Sequence, residues 1–260
     1  MPTVVITGAS MGIGRALALQ WGARGATVVL SARGREALEE VAREVEAAGG
    51  RAIVEAGDVT DEGHRVRLVA RAEHEGGGID VLVNNAGRGF YAPVLKIDVD
   101  EMRRLFELNV VAPLRLVQLA APCLERARGT VVMMSSIAGV VAAPRYGAYA
   151  ASKFALEALS MAMRSELAEK AIRVVVIRPG PVATPFRSNA FRATDMSGYD
   201  APDPNAQSAE DVARRTIRAV DRAKPVVETS TFVRLASAAS RVTPSGLRFA
   251  LKRMAARPAT

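Results

Sequence analysis

The order of apolar and amphipathic segments constrains the fold of this chain most strongly. Short runs rich in β-branched residues alternate with longer amphipathic stretches, which is typical of βαβ units and a parallel sheet. We expect seven strands, at residues 4–7, 27–30, 51–54, 81–83, 130–134, 173–177 and 225–228. Most of these runs are almost wholly apolar, as expected for strands that helices cover on both faces.

The stretches between these runs have the periodicity of amphipathic helices. We expect helices at residues 14–24, 35–48, 61–75, 100–127, 149–170 and 209–222. Pro113 and Pro122 predict a bend or a break in the longest helix. The pattern therefore predicts an α/β fold, a doubly wound, seven-stranded parallel sheet with helices on both faces, in a single domain of residues 1–230.

Composition excludes several classes of protein. The chain has 260 residues and is 49% hydrophobic, enough for one sizeable core. Its single cysteine, Cys123, excludes an internal disulfide, and no metal-ligand cluster is expected. The N-terminus lacks the pattern of a secretory signal, and charged residues interrupt every long apolar stretch, so we expect a cytoplasmic protein with no membrane-spanning helix. Of 35 basic residues, 30 are scattered arginines, and we expect no nucleic-acid partner despite the charge of +8.

A glycine-rich motif follows the first predicted strand and opens a helix. It reads Thr7-Gly8-Ala9-Ser10-Met11-Gly12-Ile13-Gly14. In this position Gly8 permits a tight turn, Gly12 lets the backbone approach a pyrophosphate, and Gly14 allows close packing of helix on strand. Free amides at the helix start attract phosphate. We expect this loop to bind a dinucleotide, and the alternative is a set of glycines that serves turns alone.

The end of the second strand bears on the choice between NAD and NADP. It reads Leu30-Ser31-Ala32-Arg33, with no acidic residue to accept the ribose 2′-hydroxyl. Ser31 and Arg33 fit a 2′-phosphate, so we expect NADP (NADPH), although an exposed arginine without a ligand is the alternative.

Two other strand ends are expected to reach the same crevice. Asp58 and Val59 follow the third strand, and Asp58 is suited either to accept from the adenine amino group or to cap the helix that begins near Asp61. After the fourth strand the sequence is Asn84-Asn85-Ala86-Gly87, of which we expect the last three residues to contact the cofactor.

Tyr149 and Lys153 are the candidate catalytic pair. They lie four residues apart at the start of a predicted helix, and therefore on one face. An ammonium beside a phenol favours the phenolate, so we expect a lowered pKa for Tyr149. Ser136, just after the fifth strand, is suited to hold the substrate oxygen, whereas Tyr146 has no lysine four residues later and is expected to line the pocket.

These motifs, in this order, resemble the short-chain dehydrogenase/reductases across roughly residues 3 to 230. The resemblance implies a Rossmann-type fold and a catalytic tetrad of Asn109, Ser136, Tyr149 and Lys153, with Asn109 positioning a water and Lys153 also holding the nicotinamide ribose. It further implies that Pro179, Gly180, Val182 and Thr184 border the nicotinamide. NADP-preferring relatives often have a basic residue where this chain has Met11, so the NADP prediction depends mainly on Arg33.

The predicted activity is hydride transfer between NADP(H) and a carbonyl or alcohol carbon of an apolar small molecule. The alternative is a non-catalytic NADP-binding regulator or scaffold. Residues 184–205 are expected to form a substrate lid, with an ordinary surface loop as the alternative. The expected pocket residues are Ser136, Ile137, Val140, Val141, Tyr146, Phe186 and Phe191. The resemblance also implies a homodimer or a homotetramer.

Residues 231–260 are expected to form a basic, amphipathic helical extension. No acidic residue follows Glu228, whereas six basic residues do. Leu247, Leu251 and Met254 form a narrow apolar stripe, and Phe232 with Leu235 begins a similar one. This extension is predicted either to pack on the domain or a second subunit, or to contact an anionic membrane surface.

Overall fold

The computed structural model describes residues 1–193 and 206–242. One seven-stranded sheet organises them, with strand order β3-β2-β1-β4-β6-β7-β9 and parallel pairing throughout. Its strands are β1 (Thr3–Thr7), β2 (Thr27–Ala32), β3 (Arg51–Ala56), β4 (Val81–Asn84), β6 (Thr130–Met134), β7 (Arg173–Arg178) and β9 (Val226–Glu228). The predicted doubly wound, single-domain architecture is confirmed.

Eight α-helices occur in the described residues, and most of them cover the two faces of this sheet. They are α1 (Gly12–Gly22), α2 (Arg35–Ala47), α3 (Glu62–His74), α4 (Val99–Phe106), α5 (Ala112–Ala127), α6 (Gly147–Glu166), α7 (Ala209–Asp221) and α8 (Thr231–Val242). The six predicted helical segments are all present. Their ends shift by up to two residues, except that α6 ends at Glu166 and continues to Lys170 as a 3-10 helix, and that the long segment divides.

Alternation along the strands builds two apolar layers. Val4 and Ile6 of β1 face one layer with residues of α1, α2 and α7, whereas Val5 faces the other layer with residues of α3, α5 and α6. Successive side chains of a strand point to opposite faces, so the apolar runs that predicted these strands also explain why both faces carry helices.

The strand order places the crevice. Because β1 lies between β2 and β4, the chain leaves neighbouring strands β1 and β4 in opposite directions, and a cleft opens at their carboxyl ends. The loops after β1, β2, β3, β4, β6 and β7, where the predicted site residues lie, all emerge at this edge.

The long predicted helix is broken before Pro113 but continues through Pro122. A π-helical turn, Glu107–Val111, separates α4 from α5, since Pro113 has no amide hydrogen to donate to the carbonyl of Asn109. The run Val99–Ala127 is the one described helical segment apolar and long enough by composition to cross a membrane. Leu116, Ala120 and Leu124 bury its apolar side in the core, as in a core helix of a globular domain.

A two-stranded parallel ribbon, which the sequence did not predict, joins the loop after β4 to the predicted lid. It pairs β5 (Phe90–Tyr91) with β8 (Phe191–Arg192), and the rings of Phe90 and Phe191 lie 4.6 Å apart. The ribbon fixes the first part of the lid, residues 184–193, while residues 194–205 lie outside the described residues.

The predicted C-terminal helical extension begins as a helix in the structure. α8 contacts the domain through Val233, which is fully buried and lies beside Gly180. Phe232 and Leu235 point outward, with 63% and 67% of their surface exposed. The later stripe of Leu247, Leu251 and Met254 lies outside the described residues.

Candidate active site

The glycine loop forms a narrow cradle between β1 and α1. Gly12 has a φ of +54°, which favours glycine, and a Cβ on Gly14 would lie 2.1 Å from the carbonyl oxygen of Gly8. Met11, the N-cap residue of α1, does not cap the helix with its side chain. A loop without room for side chains beside an uncapped helix start fits a pyrophosphate well.

Asn85, directly after β4, connects that strand to the glycine loop by hydrogen bonds. Its side-chain amide donates to the carbonyl oxygens of Thr7 and Gly8 at 2.9 and 3.2 Å. The Thr7 hydroxyl in turn accepts from the backbone amides of Asn85 and Ala86. The Asn85 side chain therefore holds the glycine loop in shape, and its predicted contact with the cofactor remains a prediction.

The end of β2 has one outward and one inward polar side chain. Arg33 is exposed at the crevice. Ser31 is only 1% exposed, and its hydroxyl lies 2.9 Å from Nε2 of the buried His64. The expectation that Ser31 binds a phosphate is therefore wrong, because its position on β2 turns the side chain into the core and His64 occupies the hydroxyl.

Asp58 is exposed beside Arg33 and does not cap α3. Its Oδ1 accepts from the amide and the hydroxyl of Thr60 at 2.9 and 2.8 Å, while Asp61 caps the helix by accepting from the amide of His64. Partial burial raises the pKa of Asp58, but the two bonds from Thr60 and the nearby Arg33 outweigh it and lower the pKa overall. Asp58 is therefore a carboxylate at this edge of the crevice, and the helix-capping alternative is wrong.

Tyr149 meets Ser136 at the centre of the crevice. The 3-10 turn Ile137–Gly139 follows β6 and α6 begins at Gly147, so the two side chains approach from adjacent elements. The Ser136 hydroxyl lies close enough to the phenol to lower the pKa of Tyr149 against the effect of burial, and its oxygen accepts from the amide of Ala138 at 3.1 Å. Tyr149 is only 7% exposed. Both hydroxyls can therefore hydrogen-bond to the same substrate oxygen.

Lys153 lies one helical turn after Tyr149 and is also buried. Its ammonium donates to the carbonyl oxygen of Met134 at 2.8 Å and lies 5.9 Å from the centre of the Tyr149 ring. Burial lowers the pKa of Lys153 to about 8. Burial also raises the pKa of Tyr149, although the nearby Ser136 hydroxyl acts against it. The expected lowering of the Tyr149 pKa is therefore wrong for the protein alone, because desolvation of the phenol outweighs the opposing effect of Ser136.

Asn109 lies in the π-helical turn and is 1% exposed. Its side chain is held at both ends: Oδ1 accepts from the amide of Arg88 at 3.0 Å, and Nδ2 donates to the carbonyl of Arg88 and to the Ser152 hydroxyl at 3.1 Å. A Cβ on Gly87 would lie 3.1 Å from Asn109 Oδ1 and 3.7 Å from Lys153 Nζ. Gly87 thus lies between Asn109 and Lys153, which connects the Asn109 position to the Tyr149 and Lys153 pair.

The segment after β7 closes the opposite wall. The carbonyl of Pro179 accepts from the amide of Ile137 at 2.8 Å, and Val182 bridges to Gln207. Thr184 lies against Gly12, where a glycine Cβ would come within 3.0 Å of its methyl group. Thr184 therefore borders the glycine loop directly.

Aromatic rings cover the reacting end of the crevice. The Phe186 ring lies 5.8 Å from that of Tyr149, and the Tyr146 ring lies 4.8 Å from that of Tyr91. Tyr146 and Phe186 thus lie where the pocket was expected, whereas Phe191 packs mainly on Phe90 in the ribbon. Burial raises the pKa of Tyr91 to about 12.

Sequence reasoning missed His64, Tyr91 and the ion pair of Glu157 with Arg178. His64 carried a signal, since His64, Leu68 and Ala72 recur at helical spacing on the buried side of α3. Glu157 carried a weaker signal, which is its position one helical turn after Lys153. Tyr91 carried none, because its place depends on a two-residue strand that pairs with a segment about 100 residues away.

Comparison with known proteins gives a consistent result. Residues 2–195 match the family model described as short chain dehydrogenase. The chain is 36% identical to dehydrogenase/reductase SDR family member 7B of Mus musculus, over 98% of this chain and 81% of that one.

Solved structures agree with this result. A short-chain dehydrogenase from Sphingobium yanoikuyae, in complex with NADPH, matches with a TM-score of 0.81 at 27% identity, over 100% of this chain and 98% of that one. One from Streptomyces avermitilis matches with a TM-score of 0.83 at 28% identity, over 97% and 96%. With the family model covering most of its length and the cradle, Ser136, Tyr149 and Lys153 gathered in one crevice, this chain belongs to the short-chain dehydrogenase/reductase family of NAD(P)-dependent oxidoreductases.

Proposed function

We propose that this NAD(P)-dependent oxidoreductase uses NADP(H) to interconvert a carbonyl and an alcohol, with Tyr149 as the group that donates or accepts the proton. The observation that carries the proposal is the position of the Ser136 hydroxyl beside the Tyr149 phenol, with the Lys153 ammonium 5.9 Å from the centre of the Tyr149 ring. Two hydroxyls that converge in a buried crevice bind a substrate oxygen and move a proton to it.

Each group has a separate task in this proposal. Ser136 orients the substrate oxygen, and Tyr149 donates its proton to that oxygen during reduction or removes the alcohol proton during oxidation. Lys153 supplies positive charge next to Tyr149 and donors for a ribose hydroxyl. Asn109 holds the loop of Arg88, and thereby Gly87, in place beside Lys153.

The nicotinamide cofactor, when bound, supplies the hydride acceptor or donor. Gly8, Gly12 and Gly14, with Ser10, Met11 and Ile13, would hold its pyrophosphate at the start of α1. Ala86, Gly87, Val59, Pro179, Gly180, Val182 and Thr184 would line its path along the crevice. Asp58 would accept from the adenine amino group, since its pKa is low and the capping role belongs to Asp61.

NADP is favoured over NAD by the exposed guanidinium of Arg33 and by the absence of an acidic residue in the segment Ser31-Ala32-Arg33. The solved relative from Sphingobium yanoikuyae, which was crystallised with NADPH, supports the same choice. Fluorescence titration with NADPH and NADH tests it, and tighter binding of NADH would contradict it.

An apolar carbonyl or alcohol is the proposed substrate, since the Phe186 ring lies beside that of Tyr149 and Tyr146 packs against the apolar cluster that contains Tyr149. A screen for NADPH consumption over ketones and aldehydes, and for NADPH formation over alcohols, tests the activity. Turnover that Tyr149→Phe leaves unchanged would contradict the role of Tyr149. The alternative of a non-catalytic regulator has no support, because suitable side chains occupy all four tetrad positions.

Self-association is also part of the proposal, as a homodimer or a homotetramer of a cytoplasmic enzyme. Val111, at the end of the π-helical turn, and Phe154 and Met161, on α6, are 43%, 44% and 67% exposed. Large apolar side chains gathered on neighbouring helices are typical of subunit contacts. Light scattering of the wild type and of Met161→Glu tests this, and a monomer in both would contradict it.

The extension of residues 231–260 is proposed to contact an anionic membrane surface peripherally. Phe232 and Leu235 are exposed beside Arg234, and the chain has no acidic residue after Glu228. Sedimentation with anionic vesicles at low and high salt tests this contact in the full chain. Binding that salt does not weaken, or no binding at low salt, would contradict it.

A further inference from the structure

A buried ion network joins α6 to the ends of β7 and β9. Arg178, 7% exposed, donates twice to Glu157, through Nε at 2.8 Å and through a terminal nitrogen at 2.9 Å, and its other terminal nitrogen donates to Glu228 at 3.1 Å. The side chains of Glu157 and Glu228 are 12% and 22% exposed. A two-pronged contact of this kind fixes the Glu157 carboxylate in one orientation.

Glu157 lies one helical turn after Lys153 on the same side of α6. A Cβ on Gly139 would lie 3.0 Å from Glu157 Cγ, 3.2 Å from the Lys153 carbonyl and 2.7 Å from the Ser135 hydroxyl, so these groups converge on one point beneath the turn after β6. Arg178 directly precedes Pro179, which borders the crevice through its bond to Ile137. The network therefore links the catalytic helix to the wall of the proposed nicotinamide site.

Among the described groups around Lys153, Glu157 is the one that carries a negative charge. Tyr149, on the same helix, presents an aromatic ring, and Met134 of β6 presents a carbonyl. Asn109 of the π-helical turn is neutral. Burial favours the neutral form of Lys153, and the negative charge of Glu157 acts against this effect of burial. Glu228 binds the other terminal nitrogen of Arg178 and lies on β9, not on the helix that carries Lys153.

We propose that Glu157 is a positioning residue for the reaction: clasped by Arg178, its carboxylate keeps the buried Lys153 side chain charged, so that Lys153 can support Tyr149. The proposal rests on the proposed function for its consequence in turnover, but the charge state of Lys153 can be measured without turnover. Arg178 holds the Glu157 carboxylate in place, and Glu228 binds the other terminal nitrogen of Arg178.

The primary test is the titration of Lys153 in the cofactor-free, full-length protein. The chain has five lysines, so NMR of protein labelled at lysine Cε resolves them, and Lys153→Met identifies the signal. We expect the wild-type signal to titrate near pH 8. In Glu157→Gln it should titrate lower by about half a pH unit or more, since an opposite charge has been removed.

Glu228→Gln is the matched control, because it also removes a carboxylate from Arg178 but not the one next to Lys153. We expect the titration of Lys153 to stay unchanged there, and Glu157→Asp to restore most of the wild-type behaviour. Equal titration in Glu157→Gln and the wild type, or an equal shift in Glu228→Gln, would overturn the proposal. If Glu157→Gln does not fold, the double variant Glu157→Gln/Arg178→Gln is compared with Arg178→Gln, so that the two differ only in the Glu157 charge, and the same lowering is expected.

Turnover gives a second readout. The alkaline limb of the pH profile of kcat/KM should move to lower pH in Glu157→Gln and remain in place in Glu228→Gln, while the Kd for NADPH changes less than about threefold in both. A wild-type enzyme that turns over no carbonyl or alcohol would contradict the proposed function, while the NMR titration would still decide the role of Glu157.

Discussion

The ammonium of Lys153 lies 5.9 Å from the centre of the Tyr149 ring, and both side chains are buried. Burial disfavours the charged form of each group, so it raises the pKa of Tyr149 and lowers that of Lys153. In the protein alone Tyr149 is therefore a phenol with a proton to give. The arrangement suits proton donation to a carbonyl oxygen, and the reverse reaction needs further positive charge near the phenol.

Replacing Tyr149 by Phe should lower kcat by about 100-fold or more, because the proton donor is lost. The Kd for NADPH should stay nearly unchanged, since the cradle at Gly12 and Gly14 is untouched. Tyr146→Phe is the matched control, as Tyr146 has no lysine one turn later, and it should keep most of the activity. Steady-state kinetics with fluorescence titration measures both, and a comparable loss in the two variants would assign the proton to another group.

Replacing Arg33 by Gln should weaken NADPH binding by about tenfold or more, because a charge-assisted hydrogen bond to the 2′-phosphate is lost. NADH binding should change little. Arg35→Gln is the control: Arg35 is similarly exposed at the start of α2 and pairs with Glu39 at 3.8 Å. Titration of both cofactors against both variants measures the effect. An equal loss for NADPH and NADH would show that Arg33 does not read the 2′-phosphate.

The sequence predicted the fold well because the determining signals are local. Runs such as those of β1 and β6 are apolar on both faces, which identifies them as strands. The glycine loop is recognised from the strand before it and the helix after it, without information from distant residues. Ser31 was misjudged although its alternation with Val29 points it to the same buried face. The sign of the Tyr149 pKa shift could not be predicted, because it depends on how deeply two elements bury the phenol, which spacing on one helix does not reveal.

Adding a methyl group at Gly14 should disrupt cofactor binding. The new Cβ would lie 2.1 Å from the Gly8 carbonyl oxygen, so either the loop or the start of α1 must move. We expect Gly14→Ala to raise the Kd for NADPH by about tenfold or more and to lower the Tm, since the same contact packs helix on strand. Gly34→Ala, where the structure has nothing within 4 Å of the new Cβ, is the control for a glycine replacement next to a helix start. Unaltered NADPH binding in Gly14→Ala would exclude this loop as the pyrophosphate cradle.

His64 should make the fold less stable in mild acid. Burial lowers its pKa below the ordinary value of about 6.5, although Glu55, at 3.5 Å, opposes the shift. The unfolded chain therefore binds a proton more readily than the folded one. The stability that neutral His64 contributes is complete above about pH 6.5 and is lost as the pH falls towards the folded-state pKa. Urea unfolding at pH 7.5 and 5.5 should show that the free energy of unfolding falls more in the wild type than in His64→Gln. His74 is exposed, so His74→Gln should show the same fall as the wild type. The same loss in the wild type and in His64→Gln would mean that other groups carry the acid sensitivity.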